Sequence, residues 1–231
     1  MELELCAASI QAVQLAKKYN FNRIELCQNL EQGGITPSIG MIQTALKYNI
    51  DTHVLIRPRI GNFTYTEEEK EIILSEIKNI NSLSIKGFVV GALNSKNELD
   101  IDFLNQIKSI HSTVDLTFHR AFDDIENWKL AIDQLIELGF KRILSSGGKS
   151  TVDEGFQQLQ EMVQYANGRI EIMTGGGVNS MNIKKIATEI NPLAVHFSGT
   201  SLLKSSDTSL FSTDQLIVDE AKIESILTAL K

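Results

Sequence analysis

Histidine, arginine and glutamate side chains stand at the ends of several apolar segments of this sequence. The segment TFHRAFD places His119 and Arg120 where a buried strand should end, and RIELCQ and THVLIRP place Glu25 and Arg57 at comparable points. A glutamate or histidine can transfer a proton, and an arginine can hold a carboxylate or phosphate through its forked N–H donors. The pattern therefore predicts an enzyme-like site, with Glu25, Arg57, His119 and Arg120 as candidate catalytic residues.

Cys6 and Cys27 are the two cysteines of the 231-residue chain, which is too few for a disulfide framework. If they lie on neighbouring strands, their sulfurs face one another, and two thiolates form a soft, low-coordinate site that suits Cu(I). Zinc would ordinarily require four ligands, and the sequence has no C-x-x-C spacing. The alternative is that both are small buried hydrophobic side chains, and the spacing alone favours this alternative.

Short apolar segments rich in β-branched residues alternate with longer amphipathic segments along the chain. Each short segment ends in Gly, Ser, Asn or a charged residue, as is typical of strands. Amphipathic segments such as SIQAVQLAKKYN and ENWKLAIDQLIELG have the helical period and can cross from one parallel strand to the next. The eight predicted strands are residues 2–8, 23–28, 52–58, 87–93, 115–122, 142–148, 170–176 and 193–199.

Eight strand-and-helix units in this length predict an α/β fold, a TIM (β/α)8 barrel, as a single domain over residues 1–231. The main alternative is a doubly wound open sheet, which usually carries a glycine-rich phosphate loop after its first strand. The corresponding segment here, CAASIQA, contains no glycine, and this favours the barrel. Residues 198–214 are expected to form a loop before a last helix at about 216–230.

Alternation along each predicted strand separates residues that face the helices from residues that face the barrel interior, because residues i and i+2 share a face. Apolar residues such as Leu5, Ile24 and Phe118 must face the helices. The inward set is then Glu4 and Cys6, Glu25 and Cys27, His53 and Arg57, Thr117 and His119, and His196 and Ser198.

Charged residues thus occupy an interior that Val, Ile and Leu can fill, although buried charge is costly unless it is paired. Charged groups at the carboxyl ends of barrel strands are where this fold carries its chemistry, so Glu25, Arg57 and His119 favour a functional site over a stabilising one. The alternative is a structural ion-pair network, for example Glu25 with Arg57, that only fixes strand register.

The predicted mouth of the barrel also carries candidate anion-binding groups. An arginine pair beside a cavity suits a carboxylate or phosphate. The segments TGGGV and HFSGTS follow strands 7 and 8, where many barrels bind phosphate through loop N–H groups. The segment SSGGKST lacks the P-loop spacing and is interpreted as a turn and helix cap. The anion-binding candidates are Arg59, Gly175, Gly176, Gly177, Ser198 and Gly199.

A formal net charge of -7 disfavours a nucleic-acid or anionic-membrane partner, because phosphate binding needs clustered Lys and Arg. The apolar runs are much shorter than the roughly 20 residues that span a bilayer. The amino terminus, MELELCAAS, has acidic residues where a signal peptide has basic ones. We therefore expect a cytoplasmic protein that binds a copper ion or a small anionic molecule.

Seven segments, in order and across almost the whole chain, resemble the CutC copper homeostasis family: ELCAAS, RIELCQNLEQGGITPSIGMI, VLIRPRIGNFTYTEEE, TFHRAFD, RILSSGG, IEIMTGGGV and VHFSG. The resemblance implies a cytoplasmic TIM barrel that assembles as a homo-oligomer, a dimer or tetramer, with copper linked to Cys6 and Cys27. It implies no established reaction. The polar mouth of the family corresponds to Glu25, Arg57, His119 and Arg120.

The chain departs from the loop R-P-R-G-G-D-F of that family, because Ile60 replaces a glycine and Asn62 replaces an aspartate. The bulkier side chain and the lost charge argue against a metal ligand or a base in this loop. Arg57, Arg59 and Phe63 remain.

Two functions are therefore predicted. The first is Cu(I) binding by the two cysteines in copper homeostasis. The alternative is a lyase, isomerase or hydrolase that acts on a small anionic or phosphorylated metabolite, with any copper role incidental. In the alternative, Glu25 or His119 moves a proton, and Asp123 orients His119 or Arg120 or caps the next helix.

Overall fold

The computed structural model describes residues 1–110, 114–205 and 213–231. Within these residues the strands are β1 Glu2–Ala7, β2 Arg23–Leu26, β3 Asp51–Leu55, β4 Gly87–Val90, β5 Asp115–Phe118, β6 Arg142–Ser145, β7 Glu171–Gly175 and β8 Ala194–Phe197. They are parallel and close into a barrel in chain order, which confirms the TIM (β/α)8 fold. The ring closes between β1 and β8, where Glu4 lies opposite His196.

Helices follow the strands, and local sequence sets their ends. Ser9 caps the first helix by accepting a backbone N–H, and Thr66 forms a capping box with Glu69. Among the described residues, no helix has the length and apolar character needed to cross a membrane. The helices are α1 Ile10–Lys18, α2 Ile39–Leu46, α3 Glu67–Ile80, α4 Ile101–Ile110, α5 Trp128–Glu137, α6 Phe156–Ala166, α7 Ile183–Lys185, which continues as a π-helical turn over Ile186–Ile190, and α8 Glu220–Leu230.

The main apolar core lies between the barrel and its helices. Leu5, Ile24 and Phe118 are fully buried in it, as the alternation predicts for outward-facing strand residues. Cys6 and Cys27 belong to a separate, smaller cluster with inward-facing neighbours. The predicted division between the outer and inner faces of these strands is therefore confirmed.

Paired charges occupy the barrel near the amino-terminal ends of the strands. The Arg23 guanidinium donates to Glu4 at 2.5 Å and to Glu171 at 2.8 Å, and Glu171 also pairs with Arg142 at 3.0 Å. Burial alone would raise the pKa of Glu4, but a hydrogen bond with His196 and the charge of Arg23 lower it to about 2. Glu4 is therefore part of a structural ion-pair layer.

Each strand ends one to four residues earlier than the sequence predicted. β5 stops at Phe118, and His119 is the N-cap of a short 3-10 helix, Arg120–Asp124. The apolar pattern continues past the last ladder hydrogen bond, so the pattern alone does not locate that bond. Arg57, His119 and Arg120 consequently lie just beyond their strands, at the mouth.

The segment predicted as a loop over 198–214 contains one strand, so that prediction was wrong there. A second strand follows the segment and overlaps the first residues of the last helix predicted at about 216–230. β9 Thr200–Leu203 pairs in antiparallel fashion with β10 Gln215–Val218, while residues 206–212 lie outside the described residues. The two strands are the four-residue runs TSLL and QLIV, which are too short to stand out beside the serine-rich sequence between them. The last helix begins at Glu220 because Asp219 caps it.

Candidate functional site at the mouth of the barrel

A cavity of about 330 Å³ opens at the carboxyl ends of the barrel strands. A larger depression of about 840 Å³ lies outside the barrel beside α4 and α5, but its described lining contains neither histidine nor cysteine. The mouth is therefore the candidate site. Its polar lining includes Cys6, Glu25, Arg57, His119, Arg120, His196 and Ser198, together with Gly176 and Gly177.

Glu25 on β2 lies in the cavity wall with 6% of its surface exposed. Burial raises the pKa of this carboxyl to about 7, with a further rise from the charge of Glu4 and an opposing effect of His196. The Oε2 atom has no hydrogen-bond partner among the described residues. A carboxyl group that titrates near neutral pH can both accept and release a proton, so Glu25 suits proton transfer.

His119 is held in one orientation. Its Nδ1 accepts the Ala121 N–H at 3.1 Å, and its ring packs on Phe63 with centroids 4.8 Å apart. Burial, aided by the charge of Arg57, lowers the pKa of His119 to about 3, so the imidazole is neutral at pH 7. Since Nδ1 accepts, the proton sits on Nε2, which is buried and has no partner among the described residues. His119 is therefore a hydrogen-bond donor for a ligand, and Glu25 is the better base.

Arg57 organises the loops around the cavity. Its guanidinium donates to the carbonyls of Gly33 at 3.1 Å, Gly34 at 2.9 Å and Gly61 at 2.7 Å, and it lies 4.9 Å from the centroid of the Phe63 ring. These bonds occupy most of its donors, so its contribution to a bound anion is mainly its positive charge. Among the described residues, Arg57 forms no ion pair with Glu25.

Asp123 orients Arg120, as one of the sequence interpretations predicts. The Asp123 carboxylate accepts Arg120 Nε at 2.8 Å, and it also accepts the backbone N–H groups of Ser146 and Gly148, both at 3.0 Å. The segment SSGGKST thus wraps around the Asp123 carboxylate. The ion pair between Asp123 and Arg120 holds the Arg120 guanidinium at the cavity wall, where it donates to Ser146 Oγ at 2.6 Å.

Three of the predicted anion-binding residues lie away from the cavity lining. Arg59 pairs with Glu69, and it donates to Asn62 Oδ1 at 3.2 Å, so Asn62 supports this loop. The hydrogen atoms of Gly175 and Gly199 allow close packing: a Cβ would lie 2.6 Å from a Leu144 carbon or an Ile223 carbon, respectively. Gly176, Gly177 and Ser198 do line the cavity.

The two cysteines lie next to one another, as expected for inward residues at the ends of neighbouring strands, although Cys6 is directly opposite Glu25. Their Sγ atoms are 3.8 Å apart, and both side chains are buried. The hydrogen bond with Cys27, together with burial, raises the pKa of Cys6 well above the usual range of a thiol. Cys6 lines the cavity, whereas Cys27 lies behind it against Leu55 and Gly34.

His196 completes the polar side of the cavity, although sequence reasoning placed it inward without assigning it to the site. Its Nδ1 lies 2.7 Å from Glu4 Oε1. Donor atoms of Cys6, Glu25 and His196 all lie within 4.8 Å of one another. The pairing of β1 with β8 brings His196 beside strands that are distant in the sequence. Closure of the barrel is therefore the feature that would have assigned His196 to the site.

A model of the CutC family matches residues 1–201. The chain is 37% identical to a family protein CutC of Glaesserella parasuis serovar 5 over 98% of each chain. It is 40% identical to one of Parabacteroides distasonis over 88% of this chain and 84% of that protein.

Among solved structures, one described as copper homeostasis protein CutC of Streptococcus agalactiae superposes with a TM-score of 0.81 at 38% identity, over 85% of this chain and 97% of that chain. A phosphoribosyl anthranilate isomerase of Thermococcus kodakaraensis gives a TM-score of 0.58 at 13% identity, over 100% of this chain and 98% of that chain. The second likeness concerns the barrel fold alone.

Proposed function

The chain belongs to the CutC family, and on that premise we propose that it binds Cu(I) between Cys6 and Cys27 as part of copper homeostasis. The observation that supports this most directly is the 3.8 Å separation of the two sulfurs. Two adjacent soft donors select Cu(I) over harder cations. The reducing cytoplasm is the compartment that keeps such a pair as free thiols.

Access and proton release determine how such a site works. Cys6 lies at the cavity wall and offers the entering ion a first ligand, while Cys27 supplies the second from behind. Because the pKa of Cys6 is raised, the metal must displace a proton on binding. Cu(I) affinity is therefore expected to rise with pH.

An anaerobic Cu(I) competition titration against a high-affinity chelator tests the proposal. We expect one ion per chain in the unaltered protein. Binding should be weaker in Cys6→Ser, Cys27→Ser and the double variant by at least the roughly 10–100-fold that loss of an outer-shell partner costs. Ser198→Ala, in the same cavity wall, is the matched control and should bind normally. Stoichiometric tight binding by the double variant would exclude the cysteine site.

A second candidate function is supported by the cavity itself. Glu25, with a pKa of about 7, and His119, with an unpaired Nε2–H donor, face one small space whose wall also carries the positive charge of Arg57 and Arg120. This arrangement suits an enzyme of lyase, isomerase or hydrolase type that moves a proton on a small anionic metabolite. Thermal-shift measurements with small carboxylates and phosphates test it. Ligand-induced stabilisation should fall in Glu25→Gln and His119→Asn, and equal stabilisation in all three proteins would contradict it.

A further inference from the structure

We propose that Cys6, Glu25 and His196 form a second site, overlapping the copper pair at Cys6, for a borderline divalent cation of the Zn(II) type, open to the mouth cavity. This inference goes beyond the copper pair and does not depend on it. The two sites share the Cys6 sulfur, but they take their remaining ligands from different directions.

The donor set is compact and comes from three adjacent strands. One sulfur, one carboxylate oxygen and one ring nitrogen lie within 4.8 Å of one another, close enough for small side-chain rotations to bring all three around a single ion. The three side chains are 5%, 6% and 9% exposed. Strand register explains the proximity, since Cys6 is opposite Glu25 across β1 and β2, and β8 lies on the other side of β1.

The histidine is already oriented as a metal ligand. Its Nδ1 lies 2.7 Å from Glu4 Oε1, and Glu4 accepts Arg23 Nε at 2.5 Å on its other oxygen. This arrangement fixes a proton on Nδ1, so Nε2 is the ring nitrogen left to bind a metal at the cavity. Metal-binding histidines in proteins characteristically have such a carboxylate partner behind them.

The Glu25 carboxyl provides a second, independent observation that favours a cation site. Its Oε2 is buried and has no hydrogen-bond partner in any part of the chain that the structure describes. The guanidinium of Arg57, which could have neutralised it, is bound to loop carbonyls instead. A buried carboxyl oxygen in that position is compensated only when the carboxyl takes up a proton or binds a cation.

The chemistry of the donors selects the cation. One sulfur, one nitrogen and one oxygen suit Zn(II), and sites with three protein ligands leave a fourth position for water or substrate. Cys6, Glu25 and His196 all line the cavity, so a small anionic oxygen donor there would be able to supply the fourth ligand. Cu(I), by contrast, prefers the second thiol at Cys27.

Anaerobic Co(II) titration of the metal-free, reduced protein tests the site, because Co(II) substitutes for Zn(II) and its bond to sulfur gives a charge-transfer absorption band. We expect one Co(II) per chain, displaced by Zn(II). Glu25→Gln and His196→Gln should each weaken Co(II) binding by at least about 10-fold, and Glu4→Gln, which removes the carboxylate behind the histidine, by about 10–100-fold. His53→Asn, another inward histidine, is the control and should bind normally.

Cys27→Ser separates this site from the copper pair: it should keep the Co(II) band while weakening Cu(I) binding. Conversely, Glu25→Gln should keep Cu(I) binding. Circular dichroism of each variant establishes that it is folded. The inference is overturned if Co(II) gives no sulfur band, if the band disappears in folded Cys27→Ser, or if folded Glu25→Gln binds Co(II) normally.

Discussion

Replacing His119 with asparagine is expected to make the folded protein less sensitive to acid. His119 has an ordinary pKa of 6.5 and a pKa of about 3 in the fold, because burial and the nearby Arg57 oppose its protonation. Between these two values the unfolded chain binds a proton that the folded chain does not. The contribution of the neutral His119 imidazole to the free energy of unfolding is therefore fully present above pH 6.5 and is lost as the pH falls toward 3.

The magnitude follows from the pKa shift. Each pH unit below 6.5 costs about 1.4 kcal/mol of unfolding free energy, so the step from pH 6.5 to pH 4.5 costs about 3 kcal/mol. Asparagine does not titrate, and it is a good N-cap for the 3-10 helix that His119 begins. The variant should therefore gain about 3 kcal/mol relative to the unaltered protein between pH 7.5 and pH 4.5.

Urea denaturation at a series of pH values, with a chelator present, measures this difference. His53→Asn provides a second case, because burial lowers the pKa of His53 to about 4. Ile132→Val, in the outer core, is the control, with a loss of about 1 kcal/mol that does not change with pH. If the stability of His119→Asn runs parallel to that of the unaltered protein over this range, the argument about a buried neutral imidazole is refuted.

Three further substitutions, two of them with a control variant, test the packing around the site and the ion-pair layer by the same denaturation measurement. Gly91→Ala should lower the free energy of unfolding by about 1–3 kcal/mol, because its Cβ would lie 2.3 Å from a ring carbon of His119. The control Gly40→Ala, whose Cβ would meet no atom within 4 Å, should raise it by up to about 1 kcal/mol. Asp123→Asn should cost at least about 2 kcal/mol, since backbone N–H groups and a guanidinium donate to its carboxylate. Arg23→Met should cost about 3–5 kcal/mol and the exposed control Arg169→Met less than about 1 kcal/mol; equal costs would contradict the ion-pair layer.

Much of the fold was predictable because barrel strands must present an apolar outer face. Leu5 and Leu26 had to face the helices, and this fixed the inward direction of Cys6 and Glu25. Length and alternation then distinguished the barrel from an open sheet. The strand ends were not predictable from the sequence. In β5, for example, apolar residues continue as far as Phe122, whereas the strand ends four residues earlier, at Phe118.

Several roles within the site depended on three-dimensional contacts that pattern does not contain. Arg57 was predicted to hold an anion, yet its donors meet carbonyls of two loops that approach it only after folding. His196 was recognised as inward, but its proximity to Glu25 depends on how far the strands shift as the ring closes. A sequence shows which side chains enter the barrel and does not show which of them meet.

Buried charge at the two ends of the barrel has two different explanations: a structural ion-pair network at the amino-terminal ends of the strands and a functional site at the mouth. Near the amino-terminal ends of the strands, Arg23 meets carboxylates on several sides, as stability requires. At the mouth, the buried Oε2 of Glu25 and the buried Nε2 of His119 have no partners among the described residues. An unsatisfied buried polar group costs about 1–3 kcal/mol, so a purely structural mouth would have paired Glu25 with Arg57. Full compensation at the mouth requires a proton or a cation at Glu25 and a hydrogen-bond acceptor at His119. A divalent cation carrying an anionic oxygen ligand meets both requirements at once, whereas Cu(I) held by the two cysteines alone meets neither.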